Sequence, residues 1–227
     1  MHADYYQSTL YPLQDKVLKI VGDLSGDFYL TGGTVLSRAY LFHRFSDDLD
    51  FFVNGVMDFK LKVNALIKGF SESGLKFDVS LADEGFARIF IIEGDCTLKI
   101  DFVNDIPFRS GTPIATPLFI RTDTLTNIQS NKVTALGRHS AKDIVDIVFI
   151  SEILQFNWAN IISDASEKDL WVNPVRVAEV LEQFPLEKLD EIGWINEKPS
   201  DEWFSKRINQ IIPDILYGNE NSLYIKR

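Results

Sequence analysis

Apolar positions along the chain change period several times, and the changes outline its elements. Leu10, Leu13, Val17, Ile20 and Val21 recur at helical spacing and predict a helix over 6–22. GDLSGD then breaks the pattern. FYLTG (28–32) reads as a short strand, 34–44 as a helix and LDFFV (49–53) as a second strand. Apolar and basic residues alternate at helical period over 58–72, and Ser71 to Gly74 ends that helix. Three strand-like runs follow, 75–81, 86–92 and 96–104, with turns at Gly85 and at Gly94–Asp95. PFRSGTPIATP (107–117) holds three prolines and reads as a linker or an irregular crossing loop. Beyond it the pattern is helical, over 124–137, 141–156, 174–183 and 200–216. The expected class is α+β: a mixed lobe over 1–115, then a mainly helical lobe over 116–227.

Composition narrows this picture. The chain has 227 residues, 45% of them hydrophobic and 17 of them Phe, which is enough for a real core in one large domain or two small ones. The apolar runs, such as that around Ile89 to Ile92, are too short to span a bilayer, so no membrane association is expected. MHADYYQSTLYPLQDK has no basic start and no apolar core, so no secretion signal is expected. Cys96 is the sole cysteine, which excludes an internal disulfide framework and suits a reducing cytoplasm. The net charge of −10 argues against a general nucleic-acid coat protein, since such binding rests on Lys and Arg. It leaves room for a small basic patch that docks one RNA end, and it fits a protein that gathers carboxylates around metal ions.

The stretch TGGTVLSRAYLFHRFSDDLDFF (31–52) concentrates the candidate chemistry. Asp48 and Asp50 stand at i and i+2 on a predicted strand, so both point to one face. Two carboxylates that close repel each other unless a cation lies between them. In TLKIDFVND, Asp101 stands between Ile100 and Phe102, where burial is costly unless the charge is paired or bound to metal. If that strand lies beside 49–53, Asp101 completes a cluster of three carboxylates. Two metal ions there could clamp both oxygens of a phosphoryl transfer. A Gly32–Gly33 turn between strand and helix lets backbone N–H groups approach phosphate, and Thr34 adds a hydroxyl.

Taken singly, each feature has a plainer reading. A GGT turn is common, and without a third glycine it is no dinucleotide fingerprint. An SDDLD run is often a solvated turn, and Asp47 fits that role. Asp101 could pair with Lys99 or Arg109, Lys132 could be a surface lysine, and Asp143 could pair with Arg138 or His139. His2, His43 and His139 lack zinc-ligand spacing, Ser37 and Ser46 lack a G-x-S-x-G context, and Cys96 reads as structural. The four tryptophans are scattered through the helical half, as core or groove-lining residues. Joint occurrence in order favours the chemical reading.

GGT, thirteen residues, then Asp48-Leu-Asp50 resembles the signature of the DNA polymerase β-like nucleotidyltransferase superfamily. RFSDDLDFF followed by NKVTALGRHSAKDIVDIVFI is similar to the AbiEii/AbiGii toxin-type nucleotidyltransferases. That family pairs an R-x-S-x-D-h-D strand with later K-x-x-A-L-x-x-R and K/R-D-h-x-D patterns. Here these are Arg44, Ser46, Asp48 and Asp50, then Lys132, Ala135, Leu136 and Arg138 (one residue short), then Lys142, Asp143 and Asp146. The resemblance covers roughly residues 28–153.

It implies a polymerase β-like lobe and a metal-dependent transfer of NMP from an NTP to a hydroxyl acceptor. It also implies the toxin component of an abortive-infection type toxin–antitoxin system, acting on RNA or tRNA, with a cognate antitoxin as partner. Asp48 and Asp50 would bind Mg²⁺ or Mn²⁺, and Asp101 would be the third ligand and the base. Gly32, Gly33 and Thr34 would hold nucleotide phosphates. Lys132 would reach the triphosphate, with Asp146 orienting it. Arg44, Ser46 and Arg138 are candidates for phosphate or acceptor contacts. Two alternatives stay open: a small-molecule nucleotidyltransferase of the aminoglycoside-modifying kind, and a nucleotide-binding module that acts without catalysis.

Overall fold

The computed structural model describes residues 2–224, and among them the mixed first half and helical second half are both present. The chain divides into two compact units: Met1–Pro107 with Thr112–Asp123, and Phe108–Gly111 with Thr124–Arg227. The proline-rich stretch therefore changes sides twice, its residues 108–111 belonging to the second unit and 112–117 to the first.

The first unit begins with helix α1 (His2–Tyr5), a π-helical turn (Tyr6–Leu10) and helix α2 (Tyr11–Leu24). Strand β1 (Tyr29–Thr31) leads into helix α3 (Gly32–Val35), which continues as a second π-helical turn (Leu36–Tyr40). That turn ends at Leu41 and Phe42, whose φ of 52° lies in the left-handed region. Helical structure thus stops earlier than the expected residue 44. Strand β2 (Leu49–Asn54), helix α4 (Phe59–Glu72) and strands β3 (Lys76–Ala82), β4 (Phe86–Glu93) and β5 (Cys96–Asp105) complete the unit.

The five strands form one sheet in the order β1-β2-β5-β4-β3. β2 and β5 run parallel, and all other neighbours are antiparallel. A parallel pair needs a long crossover; here α4, β3 and β4 supply it. Alternation sorts the two faces. Leu49, Phe51 and Val53 of β2 and Leu98, Ile100 and Phe102 of β5 are buried on one face. Phe102 stacks on Phe51 at 5.3 Å and meets Phe28 edge-on at 5.1 Å. The other face of the same strands is left for Asp50, Lys99 and Asp101.

The second unit is helical: α5 (Leu125–Ala135), α6 (Ala141–Ile153), α7 (Trp158–Lys168), α8 (Pro174–Glu182) and α9 (Asp201–Tyr217). Helix α6 is buried on nearly every side, with Ile144, Val145, Ile147 and Val148 at its centre, so it is the core helix of the unit. Helix α7 was not expected, yet its sequence marks it. Trp158, Ile161, Ile162 and Ala165 have helical spacing, and Asn157 caps the start by accepting from the Ala159 N–H. The tryptophans are structural: Trp158 is fully buried, Trp171 donates to the Thr134 carbonyl and Trp194 to the Leu189 carbonyl. No helix among the described residues is long and apolar enough to cross a membrane.

Because Phe102 is the fully buried neighbour of Asp101 and bridges two aromatic partners, Phe102→Ala should destabilise the first unit by about 3–5 kcal/mol. Urea denaturation followed by circular dichroism measures this. A loss below about 1 kcal/mol would show that the sheet does not depend on this stack.

Candidate active site

The sheet's register decides which polar residues meet. Asp50 is the partner of Asp101 on the parallel pair, and Asp101 is the partner of Arg88 on the antiparallel pair. Laterally paired residues project to the same side, so Asp50, Asp101 and Arg88 form a row across β2, β5 and β4. Lys99, two residues before Asp101, shares that face, and Asp48 reaches it from the residue before β2 begins. Asp48, Asp50, Asp101, Arg88 and Lys99 therefore share one patch.

Their pairing is specific. Arg88 holds Asp101 with both arms of its guanidinium, Nε at 2.7 Å from Oδ1 and Nη2 at 2.8 Å from Oδ2. The Lys99 ammonium lies 2.6 Å from Asp48 Oδ2 and 3.9 Å from Asp101 Oδ2. Hydrogen bonding to Asp101 is the main cause that raises the Arg88 pKa above its ordinary value. For Lys99, burial works against the charged form. Asp48, Asp101 and Asp50 outweigh it, so its pKa lies above the usual lysine value. Asp101 is buried, while Asp48 and Asp50 are partly exposed.

The glycine turn is built against this patch. Gly32 has φ +75°, and a Cβ there would lie 2.6 Å from Asp50 Oδ2. Glycine is required twice over, by the left-handed backbone and by the approach of the carboxylate. A Cβ on Gly33 would lie 2.8 Å from Arg44 Nη2 and 2.9 Å from Ser46 Oγ. Arg44 and Ser46 are thus buried behind the turn, and so is Thr34, whose hydroxyl donates to Ser46 Oγ at 3.1 Å and to the Asp48 carbonyl. Thr31, paired with Asp50 in the sheet, donates to the fully buried Asp123 at 2.7 Å.

The N-terminal helical segment braces the same loop from outside. Tyr6 stacks on Phe45 at 4.1 Å and donates to Asp47. Burial, then that hydrogen bond, raises its pKa. The Gln14 amide donates to the carbonyls of Ser46 and Asp47, and its own oxygen accepts from Arg38. Residues 6–14 thus support the motif although they carry none of it.

The second unit holds the remaining candidates. Lys132 on α5 lies 2.7 Å from Asp143 Oδ1 and 2.8 Å from Asp146 Oδ2, both carboxylates on α6. Asp146 is fully buried, and the Lys132 side chain is only 12% exposed. Arg138 is largely exposed, with Nη2 3.7 Å from Asp143. The structure therefore brings Asp48, Asp50, Asp101, Gly32, Gly33, Thr34, Arg44 and Ser46 together in the first unit. It gathers Lys132, Asp146 and Arg138 in the second.

Arg88 is the functional candidate that sequence reading missed. A signal existed. With a two-residue hairpin at Gly94–Asp95, Glu93 pairs with Cys96, and counting outward puts Arg88 opposite Asp101. Of the two partners the sequence offers Asp101, Lys99 does lie 3.9 Å from it, whereas the Arg109 Nη1 donates to the Gly111 carbonyl.

No group of three or more His, Cys, Asp or Glu among the described residues stands ready to hold a metal ion. Asp48 and Asp50 nonetheless fit a hard divalent cation, which is commonly held by one or two carboxylates with substrate phosphates completing the shell. Lys99 shows that a cation is stable against Asp48.

Comparison with known proteins agrees with this architecture. A family model described as nucleotidyl transferase AbiEii toxin, type IV TA system, matches residues 19–221. No curated protein matches the chain significantly. Among solved structures, JHP933 from Helicobacter pylori is similar with a TM-score of 0.63 and 18% identity, over 92% of this chain and 90% of that one. A second H. pylori protein, provisionally described as a nucleotidyltransferase, is similar with a TM-score of 0.62 and 19% identity, over 92% and 96% of the two chains. At such identity these structures establish the likeness of fold.

Two outcomes test the geometry. Gly32→Ala should lower stability by about 1–2 kcal/mol from backbone strain and displace Asp50. Thermal unfolding beside a transfer assay checks both, and an alanine variant with full stability and activity would rule out the tight turn. Lys132→Met leaves two buried carboxylates facing each other and should cost the second unit about 3–5 kcal/mol. A variant with wild-type stability in denaturant would show that Lys132 does not hold the α5–α6 contact.

Proposed function

The chain belongs to the AbiEii nucleotidyl transferase toxin family and is a nucleotidyltransferase, and from that premise we propose that it moves NMP from an NTP to an RNA hydroxyl, a tRNA 3′ end first. The observation that carries the reaction chemistry is the placement of Asp50 beside Asp101 on parallel strands, with Asp48 on the same face and Gly32 pressed against Asp50. The RNA acceptor and a cognate antitoxin follow from the toxin family, not from the acidic surface. The proposed setting is the cytoplasm, where NTP and RNA meet.

Asp48 and Asp50 would hold Mg²⁺ or Mn²⁺, with Asp101 the third carboxylate. Such an ion supplies Lewis-acid neutralisation of charge on the triphosphate and the departing pyrophosphate. The chain's own groups do the rest. The Gly32–Gly33 turn offers backbone N–H groups to phosphate oxygens at the start of a helix. Arg44, Ser46 and Thr34 act from behind, keeping that turn in place. The acceptor oxygen bonds to the α-phosphorus, the bond from that phosphorus to the bridging oxygen breaks, and pyrophosphate leaves. The acceptor's proton passes to Asp101. Positioning and electrostatics account for most of the rate in such transfers. By the family resemblance alone, Lys132, held between Asp143 and Asp146, would serve the triphosphate, and the exposed Arg138 would serve an acceptor.

The test is label transfer from each α-labelled NTP to total RNA and to purified tRNA, with Mg²⁺ present. Asp48→Asn and Asp50→Asn should each reduce transfer about a thousandfold, the order of several kcal/mol of lost charge stabilisation, with the circular dichroism spectrum unchanged. Full activity in either variant would remove the mechanism. Label absent from RNA but present on a small molecule would overturn the RNA acceptor and leave the enzyme class standing.

A further inference from the structure

The Lys99 ammonium occupies an unusual position for a lysine in a strand. It is a basic group in contact with the carboxylate patch, and it touches the first and third carboxylates at once, 2.6 Å from Asp48 and 3.9 Å from Asp101. Its side chain is 30% exposed, so the stem lies along the sheet and the charge is partly desolvated. Arg88 differs. It is engaged with both oxygens of Asp101, an arrangement that neutralises that carboxylate and fixes its plane. Lys99 makes a single-point contact to Asp48, whose side chain is 40% exposed and open on its solvent side.

Resting on the metal-dependent reading above, we propose that Lys99 is the built-in counter-cation of the metal-free site, which a divalent ion must displace from Asp48 to enter. The physical argument is charge balance. Asp48, Asp50 and Asp101 bring three negative charges to one sheet face, and Arg88 cancels one of them. Lys99 cancels a second, which lets the carboxylates stay close before any metal arrives. An ammonium and a divalent cation cannot share one carboxylate oxygen without strong repulsion. Arg88 keeps Asp101 oriented throughout, and Lys99 is the group free to swing, because a lysine is a point charge on a flexible stem. The consequence is a site whose Asp48 and Asp101 are already paired and ordered when empty and which binds free metal weakly. Nucleotide-borne metal has the advantage, because the triphosphate offers the displaced ammonium new partners.

The experiment is a Mn²⁺ titration of the full chain by electron paramagnetic resonance, without nucleotide, on the natural sequence and on K99M, K99Q, K99R and D48N. Circular dichroism confirms folding in each. K99M and K99Q should bind Mn²⁺ about tenfold more tightly or better, because a like charge about 4 Å away has gone. K99R keeps the charge and should stay within about threefold of the natural chain. D48N should lose the site. Unchanged or weaker Mn²⁺ binding in folded K99M and K99Q, with D48N defective, would overturn the Lys99 proposal and leave the metal reading intact. Binding by D48N equal to the natural chain would overturn the metal reading and this proposal with it.

Discussion

Mutual repulsion among Asp48, Asp50 and Asp101 is the constraint around which the first unit is arranged. Carboxylates placed side by side on adjacent strands are stable only where cations or hydrogen-bond donors answer them. The sheet answers from within, through Arg88 on β4 and Lys99 on β5. Both depend on register. A slip of one residue between β4 and β5 would turn Arg88 toward the core and strand Asp101 among apolar neighbours. The tight hairpin at Gly94–Asp95 sets that register, and the Phe51–Phe102 stack beneath holds the parallel pair.

The glycine turn depends on the same patch from the other side. Gly32 lets the chain leave β1 in a left-handed conformation directly over Asp50, and Gly33 leaves space for Arg44 and Ser46. The motif residues are thus of two kinds. Some, such as Asp48 and Asp50, are partly exposed on the patch, and others are buried behind the turn and hold it in place. Arg44 and Ser46 are of the second kind, as are Tyr6 and Gln14 from the N-terminal segment. A catalytic constellation needs such support, because errors of an ångström in position are costly to rate.

In the second unit a comparable economy holds between Lys132, Asp143 and Asp146. A lysine between two buried carboxylates is a structural tie that answers both of their charges. Removing the lysine would leave those carboxylates buried and unanswered.

Periodicity determined most of the elements, because helices and strands of this length print their buried faces directly on the chain. The Asp48–Asp50 pair and the glycine turn were legible for the same reason: spacing of two on a strand means one face, and paired glycines before a helix mean a close approach. Helix α7 was equally legible in its Trp158, Ile161, Ile162 and Ala165 pattern, and went unread beneath the polar residues between them. Other features lay beyond local pattern. That β5 lies parallel beside β2, so that Asp101 joins Asp50, depends on how the long crossover from residue 55 to residue 95 packs. That Lys99 turns to Asp48, that Arg44 is buried behind Gly33, and that Lys132 serves two carboxylates depend on contacts between segments distant in sequence. The sequence by itself determined that Asp48 and Asp50 share one strand face and that paired glycines precede a helix. Only the tertiary structure decided which charges answer which, because a charge is paired by proximity in space, and burial and strand order set that proximity.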